Sequence, residues 1–278
     1  MRTINEKQIT EAIVKLAIDA NYFLPYDVVA AIKNFAKKET NKKAKNGLYK
    51  IIENYKKAKQ GVYPLCQDTG IAVVFVEIGN NIHIEGDIYK AINKGIETGY
   101  KEGVLRKSTA NPITRKNLQT NTPAIVHMEF VNGSKLKISL MTKGAGAENK
   151  SIVKMLTPGD GIEGVIELVL DTIKKAGASA CPPYIIGVGI GGNLETAPLL
   201  AKKALLRNVN DNNKNKELAE LEQILLKKVN DLKIGAFGFG GNTTAIAVKI
   251  ESAPCHIASL PVAVNVQCHS ARHKTICI

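Results

Sequence analysis

The chain has 278 residues, 45% of them hydrophobic and 23% charged, which is enough to bury a substantial core and excludes wholesale disorder or a fibrous repeat. No apolar run approaches the roughly 20 residues needed to span a bilayer, and the opening MRTINEKQIT lacks the basic, apolar and small-residue pattern of a secretion signal, so a cytoplasmic location is expected with no membrane partner. A formal charge of +13 calls for an anionic partner, but the lysines (Lys37, Lys38, Lys42, Lys43, Lys227, Lys228) fall on solvated helix faces with few aromatic residues between them, which argues against nucleic acid.

From Asn5 to about Lys59 apolar residues recur at helical spacing, broken by Pro25 and the polar stretch Glu39 to Asn46, and predict an opening helical segment over residues 1–60. The run IAVVFVEIG after Gly70 has the length and β-branched content of a buried strand. A helix is predicted from Ile88 to Lys101. Ala124 to Met141 then reads as two strands joined in a tight hairpin at Asn132–Gly133, followed by a polar loop, KGAGAENKS. Ile162 to Lys175 is amphipathic and helical, and Cys181 stands where that helix hands over to a strand, Tyr184 to Ile190. Helices over Thr196 to Asn208 and Lys216 to Leu232 flank an Asn-rich linker, and Thr244 to Val266 is again strand-like. The expectation is an α/β protein, one mixed domain with two lobes, 61–175 and 176–278, after the helical segment.

Gly187, Gly189 and Gly192 fit GxGxxG, the pattern that can seat a dinucleotide pyrophosphate. The acidic residue that should follow about 20 positions later falls in the linker near Asp211, so these glycines are read as tight backbone packing. The five cysteines are odd in number and show no CxxC pairing, which points to reduced thiols and not to a disulfide framework. Cys66 in PLCQDTG, Cys181 in SACPPY and Cys268 in VQCHSARH lie in loops or at strand ends, whereas Cys277 sits in the apolar TICI tail, as structural thiols do. Asp68 can be a turn residue bonding its own backbone before Gly70, and His256 a satisfied, partly buried histidine.

PLCQDTG, KGAGAENKS, ACPPYIIGVGIGG, the Cys255–His256 to Pro261 segment and NVQCHSARH, in this order, resemble the α subunits of class I fumarase and L-tartrate dehydratase over nearly the whole chain. The resemblance implies a 4Fe–4S cluster held between the lobes by Cys66, Cys181 and Cys268, with Cys255 and Cys277 as non-ligands. Three thiolates leave one iron open to a substrate oxygen, which suits Lewis-acid chemistry and makes the cluster vulnerable to oxygen. It also implies that Gln67 and Asp68 contact a small dicarboxylic acid, that Asp68 and His256 form an acid–base pair, and that Arg106 binds a substrate carboxylate through its guanidinium fork. Gly144 and Gly146 offer backbone amides, with Asn149 as a polar neighbour. His269, Arg272 and His273 are read as supporting or interface residues. The family's second portion is expected on a separate β subunit, in a heterodimer or α2β2 assembly. Fumarate hydration is the leading activity and tartrate dehydration the alternative, with a nucleic-acid binder carrying a structural cluster and a dinucleotide enzyme as remoter ones.

Overall fold

A computed structural model describes residues 2–278 as mixed α/β, divided into two compact units that are each discontinuous in sequence. One comprises the chain up to Pro25, Tyr55–Gly144 and Arg272–Ile278; the other comprises Tyr26–Asn54 and Ala145–Ala271. The opening helical segment is thus shared between the units, and the C-terminal strand returns to the first, where contiguous lobes were expected.

In the first unit, strand β1 (Arg2–Asn5) leads into helix α1 (Glu6–Tyr22), which starts in a reciprocal cap between Asn5 and Gln8. Strand β2 (Ile71–Gly79) is the continuous apolar run, and β3 (Ile82–Glu85) pairs in parallel with β1. Helix α4 (Ile88–Glu102) lies against α1 at Gly95 and Gly99, where a Cβ would come within 2.6 Å of Ile13 Cβ and 3.0 Å of Ala17 Cβ. Only the absence of side chains lets the two helices approach so closely.

Strands β4 (Ile125–Val131), β5 (Leu136–Lys143) and β10 (His273–Cys277) complete a sheet of order β10-β5-β2-β4. The expected hairpin is corrected here. The two strands form, but β2 lies between them, parallel to β4 and antiparallel to β5. Asn132–Gly133 instead bridges over the end of β2, with Asn81 donating to the Gly133 carbonyl at 2.9 Å. The physical reason is in β2 itself, which is apolar on both faces and takes the central, doubly covered position. Ile13, Leu16, Val74, Val76, Ile96 and Leu140 belong to the core this creates.

The second unit holds α2 (Tyr26–Lys38), most of α3 (Lys42–Lys59), the single turn α5 (Ala145–Glu148) within the KGAGAENKS segment, and β6 (Ile152–Leu156). It continues with α6 (Gly161–Ala176), β7 (Tyr184–Gly191), α7 (Thr196–Ala204), α8 (Lys216–Asp231), β8 (Ala245–Ala253) and β9 (Leu260–Gln267), the sheet order being β6-β9-β7-β8. On β7, Tyr184, Ile186 and Val188 face a core shared with α6 and α8. The alternate residues Gly187 and Gly189 back onto α7, where a Cβ would run into the carbonyls of Ala201 and Ala197. Helix–strand packing therefore accounts for these two glycines. Glu39, 2% exposed, ties the start of α3 to the segment before β8 by accepting from the amides of Thr40, Asn41 and Asn242 and from the Thr243 hydroxyl. Burial alone would raise its carboxyl pKa, but these hydrogen bonds outweigh it and hold the group below its ordinary value.

Gly187→Ala is expected to lose about 3 kcal/mol of stability by overpacking, while Gly159→Ala, whose nearest neighbour is 3.8 Å away, changes it by less than about 0.5 kcal/mol; denaturant unfolding checks both. Glu39→Gln turns one acceptor oxygen into a donor and should cost about 2 kcal/mol at neutral pH. Because the folded-state pKa is depressed, the wild-type advantage is complete above the unfolded value of about 4.3 and disappears as pH falls through the folded one, which parallel unfolding curves would record.

Candidate functional site

The segment Leu65–Gly70 enters β2 tied to several elements of the first unit by hydrogen bonds to its main chain. The Leu65 amide donates to the Asn21 carbonyl at the end of α1 (2.8 Å). The Asp68 carbonyl accepts from Arg272 Nη1. The Tyr100 hydroxyl, on α4, is shared between the carbonyls of Thr69 (2.9 Å) and Gly70 (3.0 Å), and Asn121 Nδ2 adds a bond to Gly70 (3.2 Å). Burial pushes the Tyr100 phenol well above its usual range although the Arg272 guanidinium works against that, so the hydroxyl stays a donor. Gly70 is required: its φ is +72° and a Cβ would lie 2.6 Å from the Lys143 carbonyl.

Within this frame Asp68 does make the turn bond its sequence suggested, Oδ1 accepting from the Gly70 amide at 3.0 Å. Its other oxygen, Oδ2, faces Gly144. The position of a Gly144 Cβ would be 3.0 Å from Asp68 Oδ2 and 3.2 Å from Arg272 Nη2, and Gly144 lacks the positive φ that would otherwise explain a glycine. The glycine keeps a small space open between a carboxylate and a guanidinium. Arg106 is tied to the same segment through its backbone, the Thr69 hydroxyl donating to its carbonyl at 2.7 Å, and its side chain is exposed, as is that of Gln67. Asp68, Gly144 and the Arg106 backbone are thus brought together in one unit. Cys66 belongs to it as well and is partly buried.

The second unit brings Cys181 and Cys268 together. Cys181 sits at φ +56°, an uncommon conformation for a residue with a Cβ, and its carbonyl accepts from the His269 amide at 3.3 Å and lies 3.0 Å from His269 Nδ1. Burial is the main cause of the raised pKa of the Tyr184 phenol, and Cys181 and Cys268 add to the shift. The His269 ring packs edge-on to Phe237 with centroids 5.2 Å apart, and the Phe237 amide donates to the Pro182 carbonyl at 3.0 Å. Phe237 itself lies in the glycine-rich segment 235–241, at φ +54°. Among the described residues no disulfide forms, so the thiols are chemically available as soft donors for iron or zinc. Neither unit by itself gathers three His, Cys, Asp or Glu side chains among the described residues; Cys66 stands in one unit and the other two cysteines in the other.

His256 is exposed on the turn between β8 and β9, which corrects the partly buried alternative. Its Nδ1 accepts from the Ala258 amide at 3.1 Å, so the neutral ring carries its proton on Nε2. Cys255, beside it, is also exposed. Cys277 was expected among apolar neighbours but is exposed on β10, because that strand alternates its faces and Ile276 takes the inner one. Gly146 and Asn149 belong to the second unit, the Asp68–Gly144 contact to the first; a Cβ on Gly146 would meet only the Ser179 carbonyl, at 3.8 Å. Asn149 borders a groove of about 570 Å³ between β6 and α6, whose charged lining (Lys150, Lys154, Asp160, Glu167, Asp171) holds none of the other expected site residues. Sequence reasoning missed Asn21, Tyr100 and Asn121 as supports of the Asp68 segment. Asn21 and Tyr100 read as ordinary helix positions and Asn121 as one loop residue among several, and no local signal sets them apart.

Comparison with known proteins agrees with the motif order. Residues 10–277 match the family described as fumarate hydratase (fumerase). A Methanocaldococcus jannaschii protein named "Putative L(+)-tartrate dehydratase subunit alpha" is 44% identical, covering 95% of this chain and 95% of its own length. L(+)-tartrate dehydratase α subunits of Escherichia coli and Shigella sonnei are 31% and 30% identical, covering 97% and 98% of this chain and 90% and 91% of their own lengths. Among the described residues no helix is long and apolar enough to cross a membrane. With a matching family model over nearly its full length and relatives of this similarity, the chain belongs to the fumarate hydratase (fumerase) family of hydro-lyases.

Proposed function

We propose that this chain is the α subunit of a two-chain, iron–sulfur-dependent fumarate hydratase, interconverting fumarate and L-malate in the cytoplasm. The observation that carries the reading is the approach of the Cys181 and Cys268 segments through the His269–Cys181 contact in a member of this family. Cys66, Cys181 and Cys268 would hold a 4Fe–4S cluster, their reduced, accessible or half-buried thiols being the right donor chemistry for it. When bound, such a cluster supplies a Lewis acid for the substrate hydroxyl through its one iron without a thiolate.

The chain's own residues divide the remaining work. The Arg106 guanidinium is suited to a bidentate grip on one substrate carboxylate, and Gln67, with the amides at Gly144 and Gly146 and the side chain of Asn149, would complete the polar lining. Asp68 Oδ2, which faces Gly144, is the oxygen that would take or return a proton at the hydroxyl. His256 presents Nε2 as the paired donor, its Nδ1 being held by the Ala258 amide. The relatives are named as α subunits, and a β partner would bring the group that abstracts the carbon-bound proton, in a heterodimer or α2β2 assembly. An acidic face on that partner would complement the charge of +13.

A second reading, dehydration of L-tartrate to oxaloacetate, is favoured by the names of the relatives. The two substrates differ by one hydroxyl, so the same cysteines and proton-transfer residues would serve both.

Anaerobic reconstitution should yield about four irons and four sulfides per chain, lost in Cys66→Ser, Cys181→Ser and Cys268→Ser and retained in Cys255→Ser and Cys277→Ser. A wild-type chain that takes up no cluster would sink the reading. With the β partner added, kcat/KM measured on L-malate, fumarate and L-tartrate should favour the first two, and a preference of tenfold or more for tartrate would install the second reading instead; that ratio corresponds to about 1.4 kcal/mol in transition-state binding.

A further inference from the structure

The Arg272 side chain is among the most deeply buried in the protein, 1% exposed, although it carries a permanent charge. A buried guanidinium kept only to hold the core together should have its donors satisfied, since each unpaired one costs desolvation with no return. Arg272 departs from that. Its Nε is buried with no hydrogen-bond partner, while Nη1 is engaged at the Asp68 main chain and at Asn21. Nη1 donates to the Asp68 carbonyl and, at 3.3 Å, to Asn21 Oδ1. Nη2 and Asp68 Oδ2 meet on either side of the space that Gly144 leaves open.

The tether is itself braced by its neighbours, through Asn21 and through the Arg272 main chain. Asn21 is anchored by its Nδ2 donating to the Ala17 carbonyl at 2.9 Å, the Thr142 hydroxyl reaches Asn21 Oδ1 at 3.5 Å, and the Thr142 amide fixes the Arg272 carbonyl at 2.9 Å. The end of α1, the end of β5 and the start of β10 therefore all bear on where one aspartate sits. With Oδ1 bonded to the Gly70 amide and the main-chain carbonyl bonded to Nη1, the Asp68 carboxylate has little rotational freedom, and Oδ2 faces Gly144.

We propose that Arg272 is the positioning residue for Asp68: it holds the main chain of the aspartate and orients Oδ2 toward Gly144 for proton transfer, without itself touching substrate. The catalytic half of this inference rests on the hydro-lyase reading above; the tether does not.

The test uses the reconstituted two-chain enzyme with Arg272→Met, Arg272→Lys and, as a milder cut at the same tether, Asn21→Ala. Arg272→Met should lower kcat about 100-fold, the effect expected of a misplaced catalytic group, with KM within about twofold, and Arg272→Lys should recover about tenfold of that loss. Iron content should match wild type in all three. Amide exchange read in parallel should quicken at Thr69 and Gly70 in Arg272→Met and Asn21→Ala, recover in Arg272→Lys, and stay unchanged through α1 and β2. The inference is overturned if KM rises while kcat holds, which would make Arg272 a substrate ligand, or if protection is lost across the whole unit in step with activity, which would make it structural. Unchanged exchange at Thr69 and Gly70 would overturn the tether whatever the kinetics. Should wild type turn over no four-carbon dicarboxylate, the hydro-lyase reading falls and takes the catalytic role with it, while quickened exchange would still establish the tether.

Discussion

Main-chain carbonyls that leave solvent must find donors, and the segment Leu65–Gly70 meets that constraint in a way that orders much of its unit. Three consecutive carbonyls, on Asp68, Thr69 and Gly70, are satisfied by Arg272, Tyr100 and Asn121. Those donors come from the C-terminal strand, from α4 and from the loop before β4. Each therefore has to be delivered by its own packing: α4 by the glycine-mediated approach to α1, β10 by pairing with β5, and Asn121 by the Ser108 amide donating to its Oδ1 at 2.6 Å. An unpaired buried carbonyl costs on the order of 1–3 kcal/mol, so a chain that failed to bring all three donors together would lose several times that. The position of Asp68 is in this sense a property of the whole unit.

The second unit solves a different problem. Its sheet is covered on one face by α6 and α8 through large aliphatic side chains, and on the other by α7 through Gly187, Gly189, Ala197 and Ala201. Small residues let α7 settle directly on β7, at the end of the strand that begins three residues after Cys181. The turn carrying Cys181 is then braced from the side by Phe237 and His269. Two residues with side chains, Cys181 and Phe237, adopt the left-handed conformation within this assembly, and such strain persists only where the surroundings over-determine it. The turn at Cys181 is held by the same close packing that fills the core.

The charge of the chain fits this picture only in part. Many lysines lie exposed on helix faces and pair locally with acidic neighbours, as Lys15 does with Asp19 and Lys50 with Glu53, which contributes little to stability. The buried and half-buried cations behave differently. Lys249 is held by Asp211, and Arg207 reaches Asp211, Glu222 and Glu251 in one network, whereas Arg272 is met mainly by neutral carbonyl and amide oxygens. A guanidinium solvated by dipoles keeps more of its field available to a nearby carboxylate than one neutralised by a direct partner.

Periodicity by itself determined which segments are helices and most of the strands, because apolar spacing reports directly on burial: the three opening helices, α4, α6, α7, α8, β2 and β7 all fall where the pattern puts them. The motif order likewise determined the family, and the reading of Gly187 and Gly189 as packing glycines followed from what was missing downstream of them. Strand partners were beyond reach, since pairing depends on which strand needs both faces covered, and so β4 and β5 were joined to each other when β2 separates them. Short edge strands such as β6 and β10 carry too few residues to show a period. The supports of the Asp68 segment were only partly visible: Arg272 stood out beside Cys268 without showing what it holds, Tyr100 and Asn121 are ordinary in local context, and only the folded chain, by burying three carbonyls at one place, decides that these three side chains must meet there.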